Sequence, residues 1–76
     1  MSAEISDCVR RCLKRYFRDL DGGAPHAVYD MVVKCAEKPM LEVVMEQAGN
    51  NQTTAAQMLG ISRGTLRRML LDHGLL

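Results

Sequence analysis

Aromatic side chains are nearly absent from this chain: it has no Trp, one Phe and two Tyr. Strand-built cores lean on aromatic and β-branched residues, whereas the apolar content here is mostly Leu, Val, Ala and Met, which suits helices. Proline is confined to Pro25 and Pro39, so long helices can run elsewhere. Cysteine is too scarce and too irregular for a disulfide framework, with three residues, Cys8, Cys12 and Cys35, and no CxxC spacing. Cys8 and Cys12 fall on the apolar face of one helix, so buried, reduced thiols are expected. No run approaches the ~18 apolar residues of a membrane span. The opening Met-Ser-Ala-Glu-Ile-Ser has neither the basic start nor the apolar stretch of a secretory signal. A cytoplasmic protein in a reducing compartment is expected.

An excess of charge of one sign is also lacking, since the net charge is +1. Its distribution is more informative. Residues 1–50 carry seven Lys and Arg against eight Asp and Glu, while residues 51–76 carry Arg63, Arg67 and Arg68 against Asp72 alone. Catalytic machinery is not visible. His26 and His73 have no nucleophile nearby in sequence and are expected at the surface or at a helix end. There is no Gly-rich phosphate cradle and no metal-ligand spacing, so no cofactor, no metal site and no enzyme are expected.

What is present is helical periodicity, over a length that allows one domain. Ile5, Cys8, Val9, Cys12, Leu13, Tyr16, Phe17 and Leu20 recur at spacings of three and four, giving an amphipathic helix from about 4 to 20. Its other face is basic, with Arg10, Arg11, Lys14, Arg15 and Arg18. Asp21, Gly22 and Gly23 break it. A second helix is expected from Pro25, a favoured first-turn residue, to about Ala48, kinked at Pro39. Its apolar residues spread around most of its circumference, and such a helix must be covered on several sides. Two short helices and one amphipathic one cover it poorly, so a second copy of the chain is expected to do so. Short chains often reach stability through such a partner.

The most telling segment runs from Asn51 to Leu70. Asn50 or Asn51 can cap a third helix, and Ser62 a fourth. Ala56 offers the small residue that two steeply crossing helices need, and Gly60, four positions on, permits a left-handed turn. Ile61 plugs the corner, while Leu66 and Met69 pack the fourth helix onto the third. This is the skeleton of a helix-turn-helix. With the fourth helix in a major groove, Arg63 in its first turn faces base edges, and guanidinium to guanine is the commonest specific contact. Ser62 can touch a base or a phosphate, Gly64 allows close backbone approach, and Thr65 suits a phosphate or a thymine methyl. Arg67 and Arg68 are placed for phosphates, as are Asn51 and Thr53 at the start of the preceding helix. Gly74 is a natural stop, after which Leu75 and Leu76 can fold back onto Met69 or Leu70.

The stretch from Gly49 to Arg68, GNNQTTAAQMLGISRGTLRR, resembles the Fis family of nucleoid-associated proteins, the factors for inversion stimulation. The likeness continues upstream through Leu13–Gly22 and Glu37–Met45, including the internal Pro39, and covers about residues 4–76. The resemblance implies an all-α fold of four helices per protomer, in an intertwined homodimer with a C-terminal helix-turn-helix. Residues of about 4–48 would form the dimerisation helices, with Val9, Leu13, Phe17, Val32, Met40 and Val44 in the dimer core, and residues of about 51–74 the DNA-binding part. It implies bent double-stranded DNA as partner, a place in the nucleoid, and RNA polymerase as a candidate protein partner. The main base reader would be Arg63, with Asn51, Thr53, Thr65, Arg67 and Arg68 on phosphates and Ser62 where better-known members carry Asn. Leu71 and Asp72 replace a lysine pair of enteric relatives, which should weaken contacts to flanking DNA and flatten the salt dependence. The chain opens at its first helix, without the N-terminal arm of longer members, so no stimulation of recombinases is expected. The helix-turn-helix alone also resembles the DNA-binding tails of bacterial enhancer-binding activators. A dimeric interaction module that has lost DNA binding is the alternative from another class.

Overall fold

A computed structural model describes residues 2–76 and contains four helices among them: α1 (Ser2–Leu20), α2 (Val28–Gln47), α3 (Gln52–Leu59) and α4 (Arg63–Asp72). No strand occurs among the described residues, as the shortage of strand-forming side chains predicts. Among the described residues no helix is long and apolar enough to cross a membrane. The chain divides into two compact units whose boundary lies inside α2, between Val33 and Lys34.

In the first unit, α1 follows the amphipathic stripe and places Glu4 in its first turn and Arg18 in its last, each complementing the helix dipole. Tyr16 and Phe17 meet edge to face, with ring centroids 5.2 Å apart. The helix ends as expected at Leu20, where the Gly23 N–H donates to the Leu20 carbonyl at 3.0 Å. No described residue of this unit is buried. Val9, Leu13 and Val32 are half-buried and Phe17 is exposed.

Two sequence expectations need correction here. The second helix does not begin at Pro25: the chain stays irregular to Ala27, whose φ of 52° lies outside the right-handed helical region. Ala27 is the flanking residue, and its carbonyl accepts the Met31 N–H at 3.0 Å. The cysteines are not buried in the protomer. Cys8 and Cys12 are exposed on α1, and Cys35 is exposed on α2 in the second unit.

The second unit, Lys34–Leu76, holds the core. Leu41, Ala55, Ala56, Leu66 and Leu70 are buried, and Val44, Met45, Ala48, Leu59, Ile61, Met69 and Leu75 pack around them. Residues of α2 thus share a core with the two short helices. Ala55 and Ala56 carry only methyl groups, so α3 and α4 approach closely enough for Leu66 and Leu70 to be fully covered. α2 runs unbroken through Pro39.

All three helices of this unit end in the same closure. After α2 the Asn50 N–H reaches the Met45 carbonyl at 2.9 Å, after α3 Ile61 reaches Ala56 at 3.1 Å, and after α4 Leu75 reaches Leu70 at 2.8 Å. Each is the six-to-one bond of a Schellman motif, which needs a left-handed residue just before the donor. Gly49, Gly60 and Gly74 supply it with φ of 62°, 75° and 68°. Leu75 accordingly folds back on the end of α4 and joins the core.

Candidate nucleic-acid interface

The turn between α3 and α4 is fixed at both ends by side-chain caps. Asn51 is extended and its Oδ1 accepts the Thr54 N–H at 3.0 Å, starting α3. Gly60 closes that helix, and Ile61 turns inward. Ser62 then caps α4: its Oγ accepts the Thr65 N–H at 3.1 Å and donates to the Thr65 Oγ1 at 2.8 Å. Thr65 stands where a capping box carries Glu or Gln, so no carboxylate is there to repel a phosphate.

These caps refine what each predicted residue can offer. With its oxygen engaged, Asn51 keeps its amide N–H groups for an outside acceptor. The Ser62 hydroxyl donates to Thr65 and accepts from it, so it can donate to a base only by giving up the bond to Thr65 Oγ1, while one lone pair remains to accept. Thr65 keeps its own O–H as a donor. Thr53, one position inside α3, is exposed.

Arg63, Arg67 and Arg68 are all exposed, and among the described residues none of them is in an ion pair. Leu66 and Leu70 turn the opposite side of α4 into the core. At about 100° per residue, Gly64 sits near the middle of the outward arc, between Arg67 and Arg68. A Cβ on Gly64 would meet nothing within 4 Å, so the space over it is open. An arginine-rich, open helix face with a glycine at its middle suits close approach to a phosphate-bearing groove. Leu71 and Asp72 are exposed on the same helix, and its last turn carries no basic residue.

His73 stands at the end of α4, as expected, where it is the C-cap. Its ring is turned inward and only 10% exposed, and its Nε2 lies 2.9 Å from Glu37 Oε1 on α2, a contact the sequence does not suggest. A spacing of 36 positions leaves no local signal for such a contact. Among the described residues no cluster of His, Cys, Asp and Glu could hold a metal ion.

The packing of Val44, Met45 and Ala48 around the helix-turn-helix core has a counterpart in sequence comparison. The stretch that matches a known family runs from residue 33 to 71, so it includes most of α2, and the family is described as "Bacterial regulatory protein, Fis family". Over 73 residues the chain is 55% identical to a protein of Neisseria meningitidis (serogroup A) named as Fis-like and DNA-binding, covering 96% of this chain and 92% of that one. A protein of Ralstonia nicotianae with the same description is 57% identical over 72 residues, 95% of this chain and 94% of its own. With this identity over nearly the whole length, and with an all-helical structure that buries one side of α4 and frees its arginines, the chain belongs to the Fis family of bacterial regulatory proteins.

Proposed function

We propose that this protein is a non-enzymatic, homodimeric regulator that reads and bends duplex DNA in the cytoplasmic nucleoid, acting on transcription and chromosome organisation. The observation that carries the DNA-reading part is the α4 face, where Arg63, Arg67 and Arg68 stand exposed and without ion pairs around an open Gly64. In this reading Arg63 meets base edges, while Arg67, Arg68, Thr65, Thr53 and the Asn51 amide hold phosphates and so fix the register. Ser62 chiefly sets the start of the helix.

The homodimer is supported by apolar side chains that the protomer leaves uncovered. Ile5 is 63% exposed, Tyr29 79% and Val43 58%, and Phe17 and Met40 also lie open. The fully buried core holds five residues, small for an independent fold. A second copy would cover Val9, Leu13, Phe17, Val32 and Met40. Val44 already lines the helix-turn-helix core, so its part in a dimer would be shared with that role. A dimer carries two α4 helices, and when they stand closer than one turn of straight duplex the DNA must bend, with its flexibility read as specificity. RNA polymerase is the candidate protein partner at promoters.

The test is a salt series of binding to a bendable duplex with an A/T centre and to a random duplex, with wild type and Arg63→Ala compared. Salt-sensitive wild-type binding that Arg63→Ala weakens by about 1–3 kcal/mol at the preferred site is expected. A second reading has its own observation: exposed Leu71 and Asp72 end α4 without a basic residue. If the wild type binds neither duplex even at low salt, the protein is instead a dimeric interaction module.

A further inference from the structure

Half of the ten Lys and Arg residues lie not on the helix-turn-helix but within nine positions of α1: Arg10, Arg11, Lys14, Arg15 and Arg18. All five are exposed. The rest of the chain carries five basic residues against nine acidic ones. We infer that this face of α1 is a second, sequence-independent binding surface for the phosphate backbone of duplex DNA. The inference rests on the DNA-binding reading above and extends it to residues that reading does not use.

A merely solvated helix face needs no such pattern. Solvated faces usually interleave the two signs, because opposite charges three or four positions apart support a helix and like charges weaken it. Here Arg10 faces Lys14, Arg11 faces Arg15, and Lys14 faces Arg18, all four positions apart, and no acidic residue lies between 10 and 18. The one ion pair of α1 among the described residues, Arg10 to Asp7 at 3.0 Å, leaves Arg11, Lys14, Arg15 and Arg18 unpaired. The helix accepts this repulsion locally, and a polyanion would relieve it.

The chemistry favours phosphate on a regular backbone. Four of the five residues are arginine, whose planar fork bonds two phosphate oxygens at once. The five fill an arc of about 140° and a length of about 12 Å along the helix. Duplex DNA presents a charge every ~1.7 Å of its axis, so that length faces several phosphates. No base-reading feature accompanies the cluster, and contacts to phosphate alone carry no sequence information.

The experiment uses the full chain with Arg11→Gln, Lys14→Gln and Arg15→Gln combined. These are exposed sites, and Gln keeps helix propensity, so circular dichroism should match wild type. Binding to the A/T-centred and the random duplex is measured across salt. The expected result is an equal loss of affinity for both duplexes and a log–log salt slope shallower by about two to three per protomer, at roughly 0.9 for each phosphate contact removed. Arg11→Lys and Arg15→Lys, with Lys14 kept, should retain most of the slope. A slope equal to wild type would overturn the inference, including the case in which the variant instead loses binding to phosphatidylserine vesicles. If Arg63→Ala lowers affinity while the triple variant does not, only this inference fails. If wild type binds neither duplex, the DNA-binding reading fails with it.

Discussion

His73 Nε2, at the end of α4, lies 2.9 Å from Glu37 Oε1 on α2. The contact ties the far end of the recognition helix to the helix that underlies it, with the ring largely out of solvent. His73→Ala should leave the Glu37 carboxylate without this partner and lower the unfolding free energy by about 1–2 kcal/mol. A double-mutant cycle with Glu37→Gln, read by urea denaturation, isolates the pair. Additive effects of the two substitutions would show that the contact contributes nothing.

Gly64 separates folding from binding. Nothing lies near its missing Cβ, and a helix prefers Ala to Gly by about 1 kcal/mol. Gly64→Ala should therefore raise the melting temperature slightly and weaken DNA binding by at least several-fold. A variant that gains stability and keeps full affinity would show that the α4 backbone does not approach DNA at this point.

Ser62 is predicted to matter for the helix before it matters for the base. Ser62→Ala removes the acceptor for the Thr65 N–H and should cost about 1 kcal/mol of stability. Ser62→Asp should preserve the cap in a thermal melt yet weaken DNA binding, because a carboxylate there faces phosphate. Equal affinity of Ser62→Asp and wild type would place this residue away from the duplex.

Met40 tests the dimer without touching the buried core, since it is exposed in the protomer. Met40→Asp should shift sedimentation from dimer toward monomer and lower the melting temperature, because a charge would be buried unpaired between the copies. A dimer of unchanged stability would remove Met40 from the interface.

How much of this was readable in the sequence depended on the distance over which each signal acts. Turn chemistry is local, so Gly60, Ser62 and Gly74 could be given their places from residue type and spacing alone, and the cap of α3 was narrowed to Asn50 or Asn51. The tight crossing at Ala56 and the inward Leu66 followed from the same short pattern. Leu41 was hidden, because α2 is apolar around most of its circumference and periodicity cannot choose one face. The pairing of His73 with Glu37 was hidden by their separation. Pro25 misled for the opposite reason: its preference for a first turn was outweighed by Ala27, which takes a positive φ that no propensity announces. The exposure of the α4 arginines followed from their type, whereas the bond between the Ser62 and Thr65 hydroxyls depends on rotamers that residue type does not announce.

Leu41 also bears on how this protein could be cut and recombined. Because α2 contributes that fully buried leucine to the core beneath α3 and α4, the reading head is not a portable cassette. A fragment starting at Asn51 would carry every candidate DNA contact of the helix-turn-helix and still present a hole where Leu41 belongs. Grafting must take α2 along from about Lys34, and with it Met40 and Val43. Any transplanted reader would then import two exposed apolar side chains that its new host has to cover.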